Sequence, residues 1–242
     1  MKKGLIALIV AVLLVGAVGF GVYSFLGSPT KGPSQGQPPA GRPPMKPLAQ
    51  PSANQADGIV LGPDQTLYQI KSDSAIATFS LHEMLAGQAK FVVGTSTGYV
   101  SGEIGFDAKH VASSTIGLVR VNARTFVTDD NSRNNAIRRL ILKTEDDANE
   151  YITFKPTAMT GLPKGAATSS FAFSITGDLT VSGVTKPTMF TATGSLDKDG
   201  NLAIHATTVV KRDDFNIVIP NFPFLADVQN EVTLDLDVVA TR

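Results

Sequence analysis

Phe171-Ala172-Phe173-Ser174-Ile175-Thr176 puts a large apolar side chain at every second position and a small or polar one between. A strand turns successive side chains to opposite faces, so this stretch predicts a β-strand with one face on an interior and the other in water. The period continues outward in both directions. Toward the C-terminus, Val232, Leu234, Leu236 and Val238 alternate with Thr233, Asp235 and Asp237. Toward the N-terminus, Val119, Val121 and Ala123 alternate with Arg120, Asn122 and Arg124, and Ala75, Ala77, Phe79 and Leu81 alternate with Ile76, Thr78, Ser80 and His82. One apolar and one polar face per strand is the pattern of antiparallel strands covering a single core.

Turn residues cut this pattern into segments 66–82, 88–94, 97–107, 113–127, 150–159, 168–181, 186–196 and 201–211, with 231–241 closing the domain. The expectation is about eight strands, one of the nine segments being split or irregular. One short helix is predicted over 133–142, capped by Ser132 or Asn131, with Ile137, Leu140 and Ile141 on one face. Many strands without long crossover helices make a sandwich or a barrel. The small residues at inward positions (Ala75, Ala77, Ala123, Ala192, Ala206) favour an internal cavity, since a barrel of eight strands is only wide enough for its side chains or one small ligand.

Outside this region the chain changes character twice. Leu5–Leu26 is twenty-two residues without a charge, preceded by Lys2 and Lys3. At about 1.5 Å per residue a helix of that length spans a hydrocarbon core, and the lysines place the N-terminus in the cytoplasm. Residues 1–26 are therefore expected to be a single-pass anchor in the cytoplasmic membrane, with a cleaved signal peptide as the competing reading. Residues 27–57 hold eight prolines among Gly, Ser, Gln and Ala, a composition for an extended linker of roughly 90 Å at about 3.1 Å per residue. Residues 58–242 form the folded domain, exported to the periplasm or the cell exterior in either case.

All 21 acidic residues lie at or after Asp57, whereas five of the 21 basic ones precede it, so the domain carries 16 basic against 21 acidic residues, a net −5. That balance argues against nucleic-acid binding, which needs a basic face. The absence of cysteine excludes disulfides, zinc-thiolate sites and thiol catalysis. Gly94-Thr95-Ser96-Thr97-Gly98 matches the spacing of a nucleophile elbow, but Tyr99 to Ile104 alternate like a strand where the elbow needs a helix, so a hairpin turn is expected. Asp197-Lys198-Asp199-Gly200-Asn201 opens like a calcium loop yet lacks the third acidic position and the distal glutamate, and reads as a hairpin turn. His82, His110 and His205 are scattered, with no pair at metal-ligand spacing. No enzymatic constellation, metal site or cofactor is expected. Arg120 and Arg124 share a strand face, and Arg133, Arg138 and Arg139 cluster around the helix. Guanidinium groups there suit either an anionic head group or pairing with Asp129, Asp130, Glu145 and Asp146.

Three stretches resemble the YceI-like proteins. Tyr68-Gln69-Ile70 with Phe79 and Glu83-Met84-Leu85-Ala86-Gly87 is similar to the family's opening strands. Thr128-Asp129-Asp130-Asn131-Ser132-Arg133-Asn134 through Arg138 resembles its T-D-x-x-x-R-[DN]-x-x-[IL]-R segment. Gly177-Asp178-Leu179-Thr180-Val181-Ser182-Gly183-Val184-Thr185-Lys186-Pro187 resembles its hallmark G-x-L-T-[IV]-x-G-V-T-[KR]-P. Asp214-Phe215-Asn216-Ile217 and the acidic-apolar run Val232–Ala240 fit its end, so the likeness covers 66–241. Asn134 stands where many members have Asp, and Ser74-Ala75 where many have His-Ser. The resemblance implies an all-β, extended antiparallel lipocalin-like barrel that holds an isoprenoid lipid, prenyl-phosphate or quinone-type, without covalent chemistry. The lumen is then expected to be lined by Ala77, Phe79, Val121, Ala123, Phe154, Phe171, Phe173, Ile175 and Phe190, with Arg124, Arg133 and Arg138 as head-group contacts. The alternative is a surface interaction or stress-related module whose barrel is filled by its own side chains. A homodimer is compatible with the sequence but does not follow from it.

Overall fold

The computed structural model describes residues 58–167, 170–220 and 225–242. The expected anchor (5–26) and linker (27–57) lie outside the described residues; within them, no helix is long and apolar enough to cross a membrane. Thirteen antiparallel strands are described: β1 (Thr66–Ile70), β2 (Ile76–Leu85), β3 (Gln88–Thr97), β4 (Val100–Ser101), β5 (Glu103–Phe106), β6 (Thr115–Ile116), β7 (Val119–Asn122), β8 (Tyr151–Thr160), β9 (Phe171–Val181), β10 (Val184–Leu196), β11 (Leu202–Lys211), β12 (Leu225–Ala226) and β13 (Glu231–Thr241). They follow the order β4-β7-β8-β9-β10-β11-β13-β1-β5-β6, with β2 pairing both β13 and β3.

β4 at one end of that path and β5, next to its other end, fall in one stretch of chain, Val100–Phe106, so the sheet curls round on itself as a lipocalin-like β-barrel. Taken as continuous runs, β1–β2, β3–β5, β6–β7, β8, β9, β10, β11 and β13 are its staves. A backbone pair between Thr95 and Val127 (both 2.9 Å) draws the seam together above β4.

The alternation survives where the strands run long. Along β9 the odd-numbered side chains from Phe173 to Val181 are buried and the even-numbered ones more exposed. It breaks in three of the expected segments. The run 66–82 is interrupted by a 3-10 turn at Ser72–Ser74. The run 97–107 breaks at Gly102, where the chain changes partner from β7 to β1. In 113–127 the strand ends at Asn122, whose side-chain oxygen accepts the Arg124 N–H (2.9 Å) and starts a 3-10 turn over Ala123–Thr125.

The helix also differs from expectation. α1 spans Asn131–Ala136 and is capped by Asp130, whose carboxylate accepts the Arg133 N–H (2.7 Å), not by Ser132 or Asn131. Ile137–Ile141 then widens to π geometry, the Leu142 N–H reaching back to the Ile137 carbonyl (2.8 Å). Gly94–Thr97 belongs to β3 itself, and the expected hairpin turn there is only a bend at Gly98 (φ 85°); the β2–β3 hairpin turns instead at Ala86–Gly87. Asp197 to Asn201 does close a hairpin, β10 to β11, with Gly200 at φ 80° and the Asp197 carboxylate accepting the N–H groups of Asp199 and Asn201.

Candidate functional site

Two halves of the barrel interior are packed differently. In the half where β1 begins and β10 turns into β11, Tyr68, Ile104, Phe106, Val111 and Leu202 are buried against one another, with Leu162, Ala167 and Phe171 behind them. The Tyr68 ring meets Phe106 edge-on (5.8 Å between centroids), and its hydroxyl donates to the Gly200 carbonyl (3.1 Å). That end is solid. In the other half the inward side chains leave a cavity of about 1000 Å³. The volume lies at the upper end of the roughly 300–1,000 Å³ of small-molecule sites. Its wall is built from Phe79, Phe126, Phe154, Ile175, Phe190, Leu234 and other apolar side chains. Phe79 and Phe126 (5.4 Å) and Phe154 and Phe190 (4.9 Å) stack edge-on along it.

Glycines make room for these rings. Phe79 faces Gly94 across β2–β3, and a Cβ on Gly94 would run into the ring. Gly177 gives Phe154 the same clearance, and Gly194 does so for Phe171. An aromatic ring laid over a strand glycine covers the backbone that a side chain would otherwise shield.

The α1–π segment and residues 212–219 border the cavity at its outer end, with Ile137, Leu140, Ile141, Ile217 and Ile219 facing it. The polar groups of the cavity gather there. Glu83 continues the inward series Ala77, Phe79, Leu81 along β2 and is only 7% exposed. Arg133 of α1 donates to it (2.9 Å) and to Asp129. Lys90, opposite Glu83 on β3, pairs with Asp129 (3.0 Å). Lys90 first, then Arg133, hold the Asp129 carboxyl below its ordinary range. A carboxylate on an apolar strand face is costly unless paired, so Glu83 and Arg133 require each other. Arg212 also borders the cavity; its Nη1 donates to Asp213 and to the Ile217 carbonyl (3.0 Å), which fixes the turn carrying Ile217.

Of the lumen residues expected from the sequence, Ala77, Phe79, Val121, Phe154, Ile175 and Phe190 line this cavity. Ala123, Phe171 and Phe173 do not. Ala123 sits in the 3-10 turn that ends β7, packed under Ile137, Leu142 and Phe215. Phe171 packs at the solid end, and Phe173, 5.7 Å from it, is buried among Ile175, Phe190, Ala192 and Ala206 without bordering the cavity. Among the expected head-group arginines only Arg133 borders the cavity. Arg124 is held on the flank by Glu150 (3.2 Å), Asp147 and the Thr144 carbonyl. Arg138 donates to Asn135 (2.9 Å) one turn earlier in α1. Glu83, Lys90 and Arg212 were not expected, although Glu83 is in phase with Phe79 and Leu81, a signal legible in the sequence. Asn134, the departure from the family pattern, is buried and accepts both the N–H and the hydroxyl of Thr128 (2.7 Å each), so it ties the loop before α1.

Solved structures share this architecture. The crystal structure of BcnA from Burkholderia cenocepacia is 17% identical, with a TM-score of 0.52 over 69% of this chain and 96% of that chain. A polyisoprenoid binding domain from Saccharophagus degradans, implicated in plant cell wall breakdown, is 10% identical, with a TM-score of 0.52 over 72% and 97%. At such identities the likeness is one of fold. No curated protein matches the chain. The model of the YceI-like domain matches residues 68–240, from the first stave of the barrel to the last. The chain belongs to the YceI-like family.

Proposed function

We propose that the barrel binds an isoprenoid-type lipid, prenyl-phosphate or quinone-type, in its cavity and sequesters or carries it outside the cytoplasmic membrane, without covalent chemistry. The observation that carries this reading is the apolar cavity of about 1000 Å³, bordered at one end by the Glu83–Arg133–Asp129 cluster. An isoprenoid tail gains about 0.8 kcal/mol for each methylene taken from water, so ten such groups supply roughly 8 kcal/mol before ordering costs. The charged cluster suits the polar end of such a molecule. The solved polyisoprenoid binding domain of the same fold supports the ligand class. Residues 5–26 would hold the protein to the cytoplasmic membrane with its N-terminus inside, and 27–57 would carry the domain away from it. A barrel filled by its own side chains is disfavoured by the empty half.

Native mass spectrometry of the purified protein, paired with mass spectrometry of its organic extract, tests the reading. A bound mass that recurs in the extract as an isoprenoid is expected. Protein without adduct, and extract without isoprenoid even after incubation with a quinone or a prenyl phosphate, would overturn it.

A further inference from the structure

The cavity's outer rim carries two exposed apolar side chains. Leu140, in the π-wound stretch, is 48% exposed and, like its neighbour Ile141, borders the cavity. Val218 is 73% exposed and lies between Ile217 and Ile219, which both border it. Exposed apolar residues standing singly need no explanation, and Met189 on the outer wall is one such. Leu140 and Val218 differ because they stand on separate segments that border the same cavity. Arg138 and Arg139 precede Leu140 in the same turn, Arg138 bonded to Asn135 (2.9 Å) and Arg139 paired with Glu145 in an exposed bridge (2.8 Å) that phosphate head groups can compete for. The chain supplies a reason for a bilayer to be near. The uncharged Leu5–Leu26 run and the proline-rich residues 27–57 precede the first described residue, Gly58. Gly58 lies beside Glu103, part-way along the wall, and from there the chain runs toward the solid end.

We propose that the rim docks on a phospholipid bilayer, Leu140 and Val218 dipping to the acyl boundary, so that an isoprenoid passes between membrane and cavity without crossing water. The proposal rests on the isoprenoid-binding reading. It answers a physical difficulty of that reading, since an apolar chain released into water loses all that burial gives it. Apolar side chains at the head-group boundary with cations beside them are the ordinary means of lying on a membrane.

Because the chain has no cysteine, single substitutions accept a fluorescent label cleanly. Full-length Leu140→Cys and Val218→Cys, with Met189→Cys and Lys198→Cys as controls on the wall and at the solid end, carry an environment-sensitive dye. Each is reconstituted in vesicles of phosphatidylethanolamine and phosphatidylglycerol. The two rim labels should shift to the blue and be quenched by nitroxide lipid, while the controls stay wet. In parallel, Val218→Asp, at a residue outside the cavity lining, should slow isoprenoid uptake from donor vesicles several-fold and leave the lipid content of the purified protein unchanged. Rim labels as wet as Lys198→Cys, on protein that does carry isoprenoid, overturn docking alone. Rim labels that shift without vesicles, and more so as protein concentration rises, mark a self-association surface and also overturn it. Wild type free of isoprenoid overturns the binding reading and this proposal together.

Discussion

The two ends of the barrel are made from the same alternating strands and have opposite interiors. At the solid end, loops fold over the staves and fill them. Val111 and Ala112 bond back to Gly165 and Pro163 (3.2 and 3.0 Å), and Ala167 to Ala108 (3.1 Å), which brings Val111 and Leu162 onto Tyr68, Phe106 and Leu202. At the open end, Ile137, Leu142 and Phe215 pack on Leu179 and Val181, and the cavity bordered by Phe79, Phe154 and Phe190 remains beside them. An inward-facing position therefore means one thing under a plug and another under a rim. What decides is the loop beyond the strand end, not the strand.

Truncation should separate the ends most sharply. Leu202→Ala at the solid end, where the side chain is 1% exposed, is expected to cost about 2–5 kcal/mol. Leu234→Ala on the cavity wall should cost distinctly less, because that side chain already borders space. Denaturant unfolding of both variants measures the gap, and equal losses would mean that the cavity wall is packed as tightly as the plug.

The charged cluster gives the next effect. Glu83→Ala removes one partner of a mostly buried arginine and leaves Arg133 with Asp129 alone, for a loss of roughly 1–3 kcal/mol. Glu83→Ala combined with Arg133→Met should recover part of it in thermal unfolding. No recovery would show that the pair is not an isolated unit.

Smaller still is the response to overfilling. Ala77→Trp adds bulk where the cavity can take it, so the melting temperature should move little while lipid content falls. Ala192→Trp adds the same bulk beside Phe173 and should cost about 1–3 kcal/mol. Differential scanning fluorimetry and extract mass spectra read the two outcomes.

The slightest effect is electrostatic. Because Lys90 and Arg133 lower the Asp129 pKa in the folded protein, its contribution is present above the unfolded carboxylate value of about 3.9 and is lost as pH falls through the lowered folded value. Asp129→Asn should therefore flatten the acid side of the stability profile and leave the neutral side nearly parallel to wild type.

The sequence foretold what period two can carry. β9, β10, β11 and β13 lie within a few residues of their expected bounds because long strands repeat the signal many times. The runs around 72, 102 and 123 misled where a local bond or a change of partner stopped the strand while the apolar pattern ran on. Ala123 is the plainest case: its apolar phase is right, but Asn122 has already turned the chain. Phe171 and Phe173 were misplaced for a different reason, since alternation tells inside from outside but not one end of a lumen from the other. Arg124 and Arg138 were misplaced because a guanidinium reaches far enough to bond whichever carboxylate or amide the fold brings near. Glu83 could have been found by asking why an acid sits in phase with phenylalanine and leucine.

The rings laid over strand glycines give the barrel an adjustable bore. Phe79 and Phe154 keep to the wall only because Gly94 and Gly177 have no side chain beneath them. A single methyl group at Gly94, itself no part of the lining, would tip the Phe79 ring into the lumen and narrow it. Gly177 is less free, because a methyl group there would also meet the Lys155 carbonyl. Selection for a thicker or thinner guest can thus act through the strand that lies behind each ring, leaving the surface that touches the guest chemically unchanged.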